Sequence, residues 1–259
     1  MNPSHLPEYA SEALGLGLFM LSACGFAVLL EHPSARLRGC LPAASLRRLS
    51  MGLAMGLTAI AIVYSPLGAR SGAHINPAVT LAFLRLGRIE TRDALFYIAS
   101  QSIGAVLGML AARALFGSKL SHASVNHVVT VPGARGTRVA FLAELASSSL
   151  MMLAVLSFAC SVRLAPWTGV VAGGLVAVFL FVAAPLSGMS MNPARSLGSA
   201  LSAREFRGLW LYFLAPPMGM LAAAEVFTRC ATPAFVCAKL NHAEDVPCIF
   251  CATKERIEP

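Results

Sequence analysis

Apolar positions along this chain fall into six long runs separated by short polar connections, roughly Tyr9–Leu30, Leu49–Leu67, Asp93–Phe116, Arg138–Phe158, Trp167–Leu186 and Gly208–Phe227. A helix needs about 20 apolar residues to cross the hydrocarbon core of a bilayer. The pattern therefore predicts an all-α membrane protein with six transmembrane helices. Two further apolar pieces, Val79–Leu86 and Arg195–Leu201, are too short to cross. Each begins at an Asn-Pro-Ala tripeptide, Asn76-Pro77-Ala78 and Asn192-Pro193-Ala194. An Asn side chain caps the free N–H groups of a first helical turn, and Pro suits the first helical position, where no N–H is needed. The pieces are thus predicted as re-entrant half-helices that start in mid-membrane. Non-helical backbone at that depth is tolerated where it is buried or lines a wet cavity. Met1–Glu8 carries no basic residue and Ala13–Leu30 is longer than a signal-peptide core, so the first run reads as a retained span.

The halves repeat. Glu12 opens the first span and Glu144 the fourth, and Tyr97-x3-Gln101-x2-Gly104 is echoed by Tyr212-x3-Pro216-x2-Gly219. Tyr97 follows Asn76 by 21 residues and Tyr212 follows Asn192 by 20. With an odd number of spans per half, the second half enters from the opposite side, an inverted repeat with its site near the midplane. The expected organisation is a channel domain over 1–228, with repeats at about 9–116 and 138–228, and a Cys-rich tail over 229–259. Glycines at Gly52/Gly56, Gly104/Gly108 and Gly169/Gly173 let helix backbones approach closely in lipid.

Composition agrees with this picture. Of 259 residues, 57% are hydrophobic and 12% charged, with a mean hydropathy of +0.70. A soluble domain carries about 25% charged residues. The net charge of +8 sits in connections between spans and forms no long basic stripe. It fits lipid headgroups, and nucleic acid is not an expected partner. Arg36, Arg38, Arg47, Arg48, Lys119 and Arg135 on one side nearly balance Arg70, Arg85, Arg88, Arg92, Arg163 and the tail on the other, so charge alone does not orient the chain.

The segments Ser71-Gly72-Ala73-His74-Ile75-Asn76-Pro77-Ala78-Val79-Thr80 and Ser187-Gly188-Met189-Ser190-Met191-Asn192-Pro193-Ala194-Arg195-Ser196 resemble the two signatures of the major intrinsic protein family, the aquaporins and aquaglyceroporins. The resemblance covers about residues 9–228. It implies six tilted helices and two half-helices around one pore per subunit, a homotetramer in the plasma or inner membrane, both termini cytoplasmic, and no cofactor. It also implies that Glu12 and Glu144 brace the re-entrant loops and that Arg195 belongs to a narrow selectivity filter. Asn76 and Asn192, if capped through oxygen, keep NH₂ groups free to donate into the pore. A central water that accepts both turns its protons outward, which breaks a proton wire. The helix N-termini add a barrier to cations. The carbonyls of Gly72, Ala73 and His74, and of Gly188, Met189 and Ser190, are expected to offer acceptors along an otherwise apolar wall.

Alignment to the family without gaps puts the remaining filter positions at Gly56, Leu180 and Met189. Water channels usually carry an aromatic residue and a His at the first two. Gly56 and Leu180 predict a wider, less polar constriction. The aromatic wall that cradles glycerol is missing, and Ser196 stands where glycerol facilitators typically carry Asp. The expected function is passive passage of water and small uncharged solutes, with protons and ions excluded. The alternative is a facilitator mainly for glycerol or neutral metalloid hydroxides such as arsenite.

In the tail, Cys237-x4-His242 and Cys248-x2-Cys251 have the ligand types of a zinc site and could also hold a soft metal or trivalent arsenic. That pattern carries a rival reading, a membrane metal sensor with a vestigial pore. Cys24 and Cys160 read as buried packing, and His122 and His127 as solvated loop residues. No Gly-x-Ser-x-Gly elbow, His-Glu-x-x-His or phosphate loop is present, so no enzyme is expected. Glu12, Glu144 and Glu225 are the carboxylates available to an ion-coupled transporter, the remaining rival.

Overall fold

The computed structural model describes residues 5–161, 163–230, 237–242 and 246–251. In chain order the helices are α1 (Leu6–Glu31), α2 (Arg36–Cys40), α3 (Ala44–Val63), α4 (Pro66–Ser71), α5 (Pro77–Arg85), α6 (Thr91–Phe116), α7 (Ser118–Ser121), α8 (Thr137–Ala159), α9 (Thr168–Ser187), α10 (Pro193–Ala203) and α11 (Leu209–Cys230). Six of these regions, formed by α1, α3, α6, α8, α9 and α11, are long and apolar enough to cross a membrane. Their outer faces expose large side chains such as Leu57, Leu95, Leu115 and Val182. Lipid is the solvent that makes such a surface stable.

The second span is displaced from the sequence expectation. It starts at Ala44 because Arg47 is satisfied by Glu31 at 3.0 Å and by the carbonyls of Leu41 and Pro42. It stops at Val63 because Ser65 and Pro66 start a new helix, with the Ser65 hydroxyl capping Gly68 N–H.

The helices pair as an inverted repeat. An added Cβ at Gly104 would meet the Ala13 carbonyl and one at Gly108 the Gly17 carbonyl, so α1 and α6 run side by side in the same direction. Gly219 of α11 lies likewise against Leu145 of α8. Gly52 meets Ala177 and Gly56 meets Gly173, an order that makes α3 and α9 antiparallel across the centre of the bundle. The glycine pairs therefore serve the close packing expected of them. Tyr9 near the start of α1 donates to Asp93 near the start of α6, and Arg85 at the end of α5 pairs with Glu225 near the end of α11. Glu225 also pairs with Arg229, so it serves the surface of the bundle.

Two loop features differ from expectation or extend it. His127 is buried and pairs with Ser202 at 2.9 Å, so it anchors the connection after α6 and is not a solvated residue, whereas His122 pairs with Ser124 at the surface. The tail returns to the bundle, where Lys239 donates to the Ala69 carbonyl at 2.6 Å and Leu240 N–H to the Gly72 carbonyl at 3.0 Å.

Candidate functional site: a pore between two half-helices

Each half-helix is built by its own sequence. The Asn76 side-chain oxygen accepts from Ala78 N–H at 2.9 Å, and the Asn192 oxygen accepts from Arg195 N–H at 3.2 Å. Pro77 and Pro193 occupy the first helical positions. The Asn amides do more than face the conduit. Asn76 Nδ2 donates to the Met191 carbonyl at 2.8 Å, and Asn192 Nδ2 donates to the Ile75 carbonyl at 2.7 Å. These reciprocal bonds pin the two helix starts together. Each NH₂ group thus spends one of its two hydrogens across the repeat axis and keeps the other.

The loops leading into the half-helices are held by the two buried glutamates. Glu12 accepts from Ser71 Oγ (2.7 Å), His74 N–H (3.0 Å), Ile75 N–H (2.6 Å) and Gln101 Nε2 (2.7 Å). Glu144 accepts from Ser187 Oγ (2.6 Å), Ser190 N–H (2.8 Å) and Met191 N–H (2.6 Å). Its set is smaller because Pro216 stands where the first half has Gln101. Tyr97 donates to the Ser71 carbonyl at 2.8 Å and Tyr212 to the Ser187 carbonyl at 2.5 Å. Held this way, Ala73 and Ile75 adopt φ of 54° and 39°, and Met189 and Met191 adopt 47° and 53°. Non-glycine residues in this region are strained and persist only where the surroundings dictate them.

A cavity runs between the repeats. Its lining includes Met51, Met55, Ala59 and Val63 on one stripe of α3, a stretch of roughly 18 Å at helical rise. Ala73, His74, Asn76, Leu180, Met189, Ser190, Asn192 and Arg195 also line it, and so does Leu240 of the tail. Arg195 Nη1 is buried without a hydrogen-bond partner among the described residues. It is a fixed cationic donor in a mostly apolar conduit.

Three expectations need correction. Gly56 is not in the cavity lining, because it faces α9, where an added Cβ would come within 2.6 Å of the Gly173 carbonyl oxygen. Its neighbour Met55, one residue earlier, is the α3 side chain at the cavity. Gly56 belongs to the Gly52/Gly56 pair, but it is the packing of α3 on α9 that turns this pair to the seam and away from the cavity. Gly72 and Gly188 are likewise outside the lining. The Gly72 carbonyl accepts from Leu240 N–H, so it is engaged by the tail. Finally, the Asn amides are not wholly free, as their mutual bonds show.

The tail cluster comes together. The ligand atoms of Cys237, His242, Cys248 and Cys251 all lie within 4.8 Å of one another. Cys237 Sγ is 3.4 Å from Cys248 Sγ, and Cys251 Sγ is 3.3 Å from His242 Nε2. The Cys237 thiol beside it holds the Cys248 thiol below the usual range. Cys24 is buried as expected, and Cys160 is half-buried.

Comparison with known proteins identifies the family and the fold. A family model described as Major intrinsic protein matches residues 2–227. Aquaporin NIP1-2 of Arabidopsis thaliana is 34% identical over 227 residues, 86% of this chain and 73% of the relative. Aquaporin NIP2-1 of Oryza sativa subsp. japonica is 33% identical over 232 residues, 87% of this chain and 71% of the relative. The solved structure of the aquaglyceroporin from Plasmodium falciparum shares the fold, with a TM-score of 0.66 at 19% identity over 85% of this chain and 94% of that one. The chain belongs to the major intrinsic protein family, and it is a multi-pass membrane channel and not an enzyme.

Proposed function

We propose that the cavity conducts water and small uncharged solutes such as glycerol, urea, hydrogen peroxide and neutral metalloid hydroxides, and turns back protons and ions. The observation that carries this reading is the pairing of Arg195 with an apolar wall. Its buried Nη1 has no partner among the described residues, so a passing neutral molecule with an acceptor oxygen supplies one. A cation meets that charge and the N-terminal ends of α5 and α10. Met55, Leu180, Met189 and Arg195 make up the proposed filter. Three apolar side chains and one donor in the same cavity lining favour a solute with a carbon or metalloid body over water alone.

Osmotic shrinkage of proteoliposomes with water, glycerol, urea and a neutral metalloid acid tests this directly. Permeability to water and to at least one of these solutes above empty vesicles, with no proton leak, is the expected result. Free proton conduction overturns it.

The tail-bearing face is proposed as cytoplasmic. A membrane-crossing number of six puts both ends of the bundle on one side, and a reducing compartment suits the free cysteines of the tail. A homotetramer is proposed from the family alone, and native mass analysis of the purified protein checks it.

A further inference from the structure

The tail is folded against the pore by a set of specific contacts. Besides the Lys239 and Leu240 bonds, the Ala238 carbonyl is 3.1 Å from His74 Nε2, and Asn241 Nδ2 is 3.4 Å from the Val63 carbonyl. Phe250 stacks on His74, with ring centroids 5.5 Å apart, and meets Tyr97 edge-on at 6.1 Å. Leu240 itself forms part of the cavity wall, beside residues of the α3 end and the first re-entrant loop. The residues that touch the channel are bracketed by the clustered ligands: Ala238–Asn241 lies between Cys237 and His242, and Phe250 lies between Cys248 and Cys251.

The cluster has the chemistry of a structural zinc site. Three thiols and one imidazole form a Cys₃His set, and its Cys-x2-Cys half has the usual ligand spacing. Zinc bonds of about 2.3 Å to sulfur and 2.0–2.1 Å to nitrogen put tetrahedral neighbours about 3.5–3.8 Å apart. The observed 3.4 Å Cys237–Cys248 and 3.3 Å Cys251–His242 separations are close to that. A segment this short has little core of its own, and metal binding is what folds such units.

We propose that Cys237, His242, Cys248 and Cys251 bind zinc, and that the loaded site seats Leu240 in the mouth of the pore as a plug. Loss of the ion unties the two loops, withdraws Leu240 and opens the conduit. The gate rests on the conduction reading above, whereas the metal site stands on the cluster alone.

The test uses the full chain, stripped with chelator, dialysed, and reloaded with zinc. The wild type is expected to retain about one zinc per chain, as a closed four-ligand site does, and Cys248→Ser/Cys251→Ser to retain none. Water permeability in proteoliposomes should rise by roughly threefold or more on chelation, as when a mainly closed population is released. Leu240→Ala keeps its zinc and is open with or without it, which separates the plug from the folding of the tail. Equal zinc content in wild type and the double variant overturns the site. Zinc bound with no effect on flux overturns the gate alone. If no preparation exceeds empty vesicles, including chelated protein and Leu240→Ala, the conduction reading falls and the gate with it.

Discussion

Gly56 of α3 lies against Gly173 of α9, so close that a methyl group on Gly56 would sit 2.6 Å from the Gly173 carbonyl oxygen. The contact is reciprocal, since a Cβ on Gly173 would meet the Gly56 carbonyl at 2.6 Å. It joins the two repeats at their antiparallel seam. Gly56→Ala should therefore act on stability and not on selectivity, at a cost of about 1–3 kcal/mol for overpacking. Thermal unfolding in detergent should show a lower midpoint. An unchanged midpoint with altered solute preference would return Gly56 to the filter.

Met55 is the residue to change for selectivity. Met55→Ala removes three heavy atoms from the cavity wall, and glycerol and urea flux should rise relative to water. Met55→Phe should lower the same ratio. Stopped-flow ratios for the two variants need only move in opposite directions; movement in the same direction contradicts the assignment.

Glu12 and Glu144 accept only from donors, and each is buried. Glu12→Gln or Glu144→Gln places an NH₂ group where an N–H or O–H must donate. The mismatch should cost about 1–3 kcal/mol per unsatisfied group. Reduced thermal stability and reduced water flux are expected in both. Glu12→Gln should be the worse, because its carboxylate also takes the Gln101 bond.

Tyr97→Phe and Tyr212→Phe each delete a hydroxyl that holds a loop carbonyl, of Ser71 and Ser187 respectively. Similar losses of about 0.5–1.5 kcal/mol are expected. A large difference between the two would mean that the repeats do not share this support equally.

Arg195→Val removes the donor that faces the conduit. Urea and glycerol flux should increase, and exclusion of small cations such as methylammonium should weaken. Uptake of labelled methylammonium measures the second effect. Unchanged cation exclusion would leave the helix ends as the sufficient barrier.

Much of this protein was legible along the chain. Six spans follow from apolar runs long enough for a bilayer, and both half-helices from Asn-Pro, because capping and the missing proline N–H act locally. The two tyrosines could be paired by spacing, since they follow their asparagines by 21 and 20 residues, whereas Glu12 and Glu144 are matched only by their place at the openings of the first and fourth spans. What the sequence could not carry was rotation about a helix axis. Met55 and Gly56 are neighbours, and only packing of α3 on α9 decides that one faces the conduit and the other the seam. A residue count back from Asn76 assumes an unbroken path, and the Ser65–Pro66 helix start alters that path. The cross-bonds from Asn76 to Met191 and from Asn192 to Ile75 span more than a hundred residues, so no local signal contains them. The tail shows the same division: its ligand types are written in order, but that their ligand atoms come within 4.8 Å of one another and that Leu240 lines the cavity are properties of the folded molecule alone.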